Sequence, residues 1–115
     1  DRFKLVTSMR FEHYLTLLKN SSAIIGNSSA GICEAPVYGV PTVNIGTRQN
    51  KRSQHESIIN LQEDFKRIFS TLQNLPPKIS PALNFGKGNS AKLFSQILKK
   101  ESFWERSCQK TFRDI

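Results

Sequence analysis

The sequence predicts an α/β fold with a small Rossmann-like parallel sheet and flanking helices, and three observations point to it. Residues 23–26 form a short apolar run that is typical of a strand buried on both faces of a parallel sheet. A polar triplet, a helical stretch and a closing glycine follow, and a second apolar run covers residues 40–45. Strand, helix, strand is the βαβ order, which implies parallel strands with helices on both faces of the sheet.

Length and charge limit the function classes. The 115 residues allow one domain at most, and a hydrophobic fraction of 37% with eight Phe is too high for a disordered polyelectrolyte. The net charge of +8 is spread along the chain, so it favours a solvated basic surface over a nucleic-acid interface. The longest apolar run is far shorter than the roughly 18–20 residues that cross a bilayer. Neither nucleic acid nor a membrane is therefore an expected partner.

The first half of the chain contains most of the predicted sheet. A short apolar stretch at residues 3–6 predicts a strand, and apolar side chains spaced i, i+3, i+4 and i+7 from Phe11 predict a helix that ends near Asn20. Ser and Asn in residues 27–29 predict the cap of a helix over residues 30–38, which Gly39 closes. Residues 57–59 are a candidate for a further strand.

Three helices are predicted in the second half. A capping box from Asn60 to Glu63 predicts a helix over the apolar positions up to residue 75, and Pro76 and Pro77 stop it. Asn89 or Ser90 caps the next helix, with Leu93, Phe94, Ile97 and Leu98 facing inward. Ser102 and Glu105 form another capping box, so the last helix starts at Ser102 and carries Phe103, Trp104 and Phe112.

The candidate ligand site lies where the first two central strands end. Ligands of open α/β sheets bind beyond the carboxyl ends of the strands, where small residues and hydroxyl donors suit phosphate. Ser28 and Ser29 follow the first of these strands, and Glu34 stands about 1.4 turns into the next helix, where a carboxylate could accept ribose hydroxyls. Arg48 follows the second strand, and its planar guanidinium suits phosphate.

Two segments carry a specific resemblance. Residues 26–36 read GNSSAGICEAP and residues 39–49 read GVPTVNIGTRQ, and together they resemble the UDP-N-acetylglucosamine 2-epimerases, most of all the hydrolysing branch that makes free N-acetylmannosamine for sialic-acid synthesis. Residues 85–91 and 103–112 are similar to that branch as well. The chain departs from the pattern at Cys33, where relatives commonly carry arginine.

The resemblance implies a two-domain enzyme with a glycosyltransferase-B-like fold, of which residues 1–115 are the C-terminal, UDP-binding portion. By that likeness Ser28 and Ser29 bind the diphosphate, Glu34 holds the ribose hydroxyls and Arg48 contacts UDP. Tyr14 falls where the family often has an aromatic near the nucleotide, although a core position is equally compatible with its place on a helix face. The acid and base residues belong to an N-terminal domain, so no catalytic residue is expected in this chain, which alone should bind and not turn over.

The resemblance further implies a UDP-sugar substrate, a homo-oligomer and no cofactor. Cys33 and Cys108 form no disulfide framework, which favours a reducing compartment and a cytoplasmic location. With so few Cys and His at ligand spacing, no metal site is predicted. A non-hydrolysing epimerase and a bacillosamine-type epimerase remain alternatives, as does a non-catalytic nucleotide-sugar-binding module from a different class.

Overall fold

A computed structural model describes residues 2–105 and residue 109. The chain divides into two compact units, Asp1–Asn84 and Phe85–Ile115.

The first unit contains a three-stranded parallel sheet. The strands are β1 (Ile24–Gly26), β2 (Thr42–Ile45) and β3 (Ile58–Leu61), in the order β1-β2-β3. Helix α1 (Phe11–Asn20) precedes β1, α2 (Ala30–Cys33) and a 3₁₀ helix (Ala35–Tyr38) connect β1 to β2, and α3 (Phe65–Gln73) follows β3. The predicted α/β class, the parallel strands and the start and end of α1 are confirmed.

The connection between β1 and β2 differs from the continuous helix that the sequence predicts. α2 ends at Cys33, and the chain continues as a 3₁₀ helix in which the Val37 N–H donates to the Glu34 carbonyl at 3.1 Å. Pro36 is the physical reason, because proline has no N–H for an α-helical hydrogen bond and disfavours α geometry at the residue before it. Gly39 closes this segment as predicted, in the left-handed conformation with φ 64°.

The apolar core of the first unit lies between α1 and the β1–β2 connection. Leu18, Ala35 and Val40 form its buried cluster, and Tyr14, Ile24 and Tyr38 pack against it. Helix α2 lies close to the sheet, since a Cβ atom added to Gly31 would stand 2.5 Å from the Thr42 Cγ2. The Thr42 hydroxyl also donates to the Gly31 carbonyl at 2.7 Å. A glycine at position 31 therefore allows α2 to approach β2 this closely.

Two predictions about strands are wrong. Residues 3–6 form no strand, and Phe3 is 93% exposed, because a strand requires a neighbour to satisfy its backbone groups and none pairs with this segment in the described part of the chain. β1 is not buried on both faces, since Ile25 is 50% exposed. The position of β1 at the edge of the sheet explains this exposure, whereas the central strand β2 has Thr42, Val43 and Asn44 buried.

The start of α3 is also corrected. Asp64 is its N-cap, and the Asp64 carboxylate accepts a hydrogen bond from the Arg67 N–H at 3.0 Å. Asn60, the predicted cap, lies inside β3, because the predicted strand at residues 57–59 extends to Leu61. The helix ends at Gln73, in agreement with a stop imposed by the two prolines that follow.

The second unit contains α4 (Ser90–Leu98) and α5 (Glu101–Trp104). α4 begins where the sequence predicts it, with Asn89 as its N-cap. The predicted capping box of α5 is wrong, because Ser102 lies inside the helix.

The apolar face of α4 is not buried as predicted. Of the four residues predicted to face inward, Leu93, Phe94 and Ile97 are exposed and Leu98 is half-buried. Within α5, Phe103 and Trp104 pack edge to face at 5.1 Å, and the Trp104 Nε1 donates to the Leu98 carbonyl at 2.8 Å. Phe112 lies outside the described residues. Throughout the part of the chain that the structure describes, no helix has the length and apolar character needed to span a membrane.

Gly39 provides a test of how closely the end of the 3₁₀ helix packs against the backbone of Ile79. A Cβ atom at position 39 would stand 1.9 Å from the Ile79 carbonyl oxygen, and its φ is unfavourable for any side chain. We expect Gly39→Ala to lower the free energy of unfolding by more than about 2 kcal/mol, measured by urea denaturation of the purified protein. Gly46→Ala is the matched control, since Gly46 also has a positive φ but only the flexible Glu63 side chain nearby. Equal losses in both variants would contradict the steric argument.

Candidate functional site

The turns that follow β1 and β2 lie side by side at one edge of the sheet. The register pairs Gly26 at the end of β1 with Asn44 near the end of β2. Because both strands run in the same direction, residues 27–29 and residues 46–52 leave the sheet at the same edge. These two turns carry Ser28, Ser29 and Arg48, as the sequence predicts.

The turn after β1 presents two exposed serine hydroxyls. The Ser28 Oγ accepts a hydrogen bond from the Ala30 N–H at 3.2 Å, so its own O–H remains a donor toward solvent. Ser29 is the N-cap of α2, but its side chain makes no capping hydrogen bond. Since α2 is a single turn, the hydroxyl groups rather than a helix dipole are the main means by which this turn could hold an anion.

Glu34 lies at the C-terminal end of α2 and is half-buried. Its Oε2 is buried and has no hydrogen-bond partner among the described residues. A buried acceptor without a donor costs about 1–3 kcal/mol, and more when it is charged. The carboxylate is therefore an acceptor that the chain itself leaves unsatisfied.

Tyr14 packs against the core, which confirms one of the two alternatives that the sequence left open, and it also lies near Glu34. Burial, and to a smaller extent the negative charge of Glu34, raise the pKa of the Tyr14 hydroxyl above its ordinary value of 10.0. The hydroxyl is therefore protonated at neutral pH. Tyr14 also stacks on Phe11, with ring centroids 6.4 Å apart.

A cavity of about 420 Å³ adjoins Tyr14. The chain segment before α1 and one face of α1 form its walls, and the lining residues are Val6, Thr7, Ser8, Met9, Phe11, Tyr14 and Leu17. An aromatic ring beside a cavity of this size can stack on a planar group.

Arg48 lies in the turn after β2, where its side chain is exposed. The ion pair found among the described residues joins Arg10 to Glu12, and Arg48 takes no part in it. The Arg48 guanidinium is thus available to an anion from solution.

Gln49 is a buried residue of this site that the sequence analysis did not single out. Its side chain is 2% exposed, and its Nε2 donates to the Asn27 carbonyl at 2.9 Å. Its Oε1 accepts from the Arg52 Nη1 at 2.8 Å. Gln49 is the last residue of the segment 39–49 that carries the family resemblance, but a glutamine in a polar, charged segment carries no sequence signal for burial, which follows from the position of the two turns.

Cys33 is a half-buried free thiol inside α2, and Cys108 lies outside the described residues. The His55 Nδ1 is 2.9 Å from the Ser57 Oγ, just before β3 begins. Among residues 2–105 and 109, no three His, Cys, Asp or Glu side chains are grouped in a way that could hold a metal ion.

Comparisons with known proteins give these features a family context. Residues 1–99 match the family model described as UDP-N-acetylglucosamine 2-epimerase. The chain is 39% identical over its full length to a protein named UDP-N-acetylglucosamine 2-epimerase from Neisseria meningitidis serogroup B, of which it covers 32%.

Two further relatives act on a different sugar according to their names. The chain is 30% identical over 84% of its length to the UDP-N,N'-diacetylbacillosamine 2-epimerase (hydrolyzing) of Legionella pneumophila, and covers 26% of that protein. It is 39% identical over 62% of its length to the GDP/UDP-N,N'-diacetylbacillosamine 2-epimerase (hydrolyzing) of Campylobacter jejuni, and covers 19% of it.

The chain therefore spans about a third or less of the length of these relatives. The family match nevertheless extends over most of its residues and includes both turns of the candidate site. This chain belongs to the UDP-N-acetylglucosamine 2-epimerase family.

Proposed function

We propose that this chain is the UDP-binding portion of a hydrolysing UDP-N-acetylglucosamine 2-epimerase. The observation that carries the proposal is the unsatisfied, buried carboxylate oxygen of Glu34, which lies near Tyr14 and on the α2 segment that begins with the two serines. Vicinal ribose hydroxyls are donors that suit such a carboxylate. The proposed partner domain is an N-terminal one that this chain does not contain.

Serine hydroxyls and a guanidinium supply the proposed diphosphate contacts. Ser28 and Ser29 donate from one turn and Arg48 donates from the adjacent turn, so the two groups of donors would reach the anion from two sides. Tyr14 and the cavity beside it would accommodate the base. The net charge of +8 adds a general attraction for a nucleotide diphosphate.

The proposed reaction eliminates UDP from UDP-N-acetylglucosamine. The C1–O bond breaks, a proton leaves C2, and a 2-acetamidoglucal forms. Water then adds its oxygen to C1 while a proton returns to C2 from the opposite face, so the net change consumes one water and yields UDP and N-acetylmannosamine. In this scheme Arg48 stabilises the negative charge of the departing diphosphate, whereas the acid and base residues belong to the partner domain.

Three alternatives share this UDP site. A non-hydrolysing epimerase would return UDP-N-acetylmannosamine, and an enzyme like the Legionella and Campylobacter relatives would act on a diacetylbacillosamine nucleotide. A non-catalytic nucleotide-sugar-binding module would retain binding and lack turnover. A cytoplasmic location and a homo-oligomeric state are part of the proposal for the intact enzyme.

Product analysis separates these alternatives. We expect the intact protein that contains this chain to convert UDP-N-acetylglucosamine to UDP and free N-acetylmannosamine, observed by NMR, and to place deuterium at C2 in D₂O. UDP-N-acetylmannosamine as the product would favour the non-hydrolysing reaction. Turnover of UDP-N,N'-diacetylbacillosamine alone would favour the second alternative. UDP binding without turnover of either sugar would favour the binding module.

Glu34 variants test the ribose contact. We expect Glu34→Gln to weaken UDP binding by the intact protein roughly 10- to 100-fold, because an amide replaces one acceptor oxygen with a donor. Calorimetry should also show that the preference for UDP over 2',3'-dideoxy-UDP shrinks in the variant. Glu56→Gln, an exposed carboxylate before β3, is the control and should leave both affinities unchanged. An undiminished preference for UDP in Glu34→Gln would contradict the assignment.

Arg48 variants test the diphosphate contact. Arg48→Ala should weaken UDP binding about tenfold or more while leaving uridine binding unchanged, because only UDP carries the charge. Arg48→Lys should restore part of the loss, since lysine keeps the charge but not the planar fork. Arg67→Ala removes an exposed arginine of α3 and serves as the control in the same calorimetric titrations. Equal effects of Arg48→Ala on UDP and uridine would exclude a phosphate contact.

A further inference from the structure

Gln49 joins the two turns that carry the proposed phosphate contacts. Its carboxamide is 2% exposed and is satisfied at both ends, by the Asn27 carbonyl and by the Arg52 guanidinium. Asn27 and Gln49 are separated by 22 residues, so this hydrogen bond is a tertiary contact between neighbouring strand ends.

Among the described residues, this contact is the hydrogen bond that links the turn after β1 directly to the turn after β2. The other hydrogen bonds found for residues 27–29 reach no further than four residues along the chain, to Ala30, Gly31, Ile32 and Cys33. They shape the turn but do not attach it to the turn after β2. Gly26, the residue before the turn, has a φ of 134°. Because it is a glycine, it has no side chain whose packing could restrain the backbone at this point. The pairing of β1 with β2 and the hydrogen bond from Thr42 to Gly31 position the chain on either side of the turn, and the hydrogen bond from Gln49 ties the turn itself to the turn after β2.

Arg52 fixes which way the carboxamide faces. Its Nη1 donates to the Oε1 of Gln49, and this interaction leaves the Nε2 of Gln49 to donate to the Asn27 carbonyl. A reversed carboxamide would bring two donors together at Arg52 and two acceptors together at Asn27. Arg52 is exposed, so its charge is also close enough to solvent to be screened by salt.

We propose that Gln49 is a positioning residue that sets the spacing between the Ser28–Ser29 turn and Arg48. Gln49 does not touch the nucleotide, and it acts through the Asn27 carbonyl on one side and through its chain neighbour Arg48 on the other. The inference rests on the proposed UDP site, because the spacing matters only if one ligand bridges the two turns.

Gln49→Glu is the informative variant because it retains the shape of the side chain and makes its donor titratable. The ionised carboxylate has no hydrogen for the Asn27 carbonyl, whereas the protonated carboxyl group does. We expect the variant of the intact protein to bind UDP about tenfold or more weakly than the parent near pH 7.5. The ratio of the two dissociation constants should approach one as the pH falls through the carboxyl pKa, whose ordinary value is about 4.3.

The charged groups around position 49 determine the pH at which the UDP affinity of Gln49→Glu recovers. Arg48, Lys51 and Arg52 belong to the same turn, Glu63 approaches that turn near Gly46, and the turn after β1 has no titratable side chain. Removal of the cation by Arg52→Met in the Gln49→Glu background should raise the carboxyl pKa, so recovery should begin at a higher pH. If Gln49 only stabilised the fold, the UDP affinity of the folded variant would not follow the titration of the carboxyl group, and Arg52→Met would not shift the pH at which affinity recovers.

Calorimetric titration of the intact protein with UDP over this pH range is the experiment, with far-UV circular dichroism and thermal unfolding of each variant. Gln54→Ala, an exposed glutamine in the same segment, is the matched control and should bind as the parent does. Parental affinity of Gln49→Glu at every pH, a loss that does not change with pH, or failure of the variant to fold would each overturn the inference. Absence of UDP binding by the parent itself would instead overturn the proposed function.

Discussion

The parallel pairing of β1 with β2 is the interaction on which the rest of the site depends. Because Gly26 stands beside Asn44, the chain leaves both strands at one edge, and a side chain 22 residues further on can bond the first turn. The same pairing places Thr42 beneath Gly31, which holds α2 against the sheet. A shift of the register by one residue would turn Thr42 to the opposite face and separate α2, and with it Glu34, from the strand ends.

The parts of the fold that the sequence predicts correctly are those set by local chemistry. The order of β1, α2 and β2, the closing Gly39 and the ends of α1 follow from apolar spacing and from conformations that only certain residues favour. The errors arise where several residues compete or where a partner is needed. Asn60 and Asp64 are both good caps, and only the extent of β3 decides between them. Residues 3–6 have strand character, but strand character forms no strand without a neighbour.

The residues of the site also divide into those whose positions follow from local sequence and those whose positions depend on tertiary contacts. The positions of the two serines and Arg48 at one edge could be predicted, because parallel strands bring their carboxyl ends together. The burial of Gln49 could not, because it depends on how the turn after β2 folds back toward Asn27. Tyr14 is an intermediate case, since helical spacing predicts that it faces the core but does not predict that it lies near the charge of Glu34.

Among the described residues, the two buried side-chain acceptors without a hydrogen-bond partner differ in what they cost. The Asn44 side chain is neutral and already donates to the Asn60 Oδ1 at 2.7 Å, so its free Oδ1 leaves only part of an amide unsatisfied. Glu34 leaves a carboxylate oxygen buried without a donor, which costs more because the group can carry charge. An apolar side chain at position 34 would avoid this cost, so stability alone does not account for a glutamate there. A ligand hydroxyl that donates to Glu34 would recover a desolvation that folding has already imposed, and would therefore gain more than it would at an exposed carboxylate.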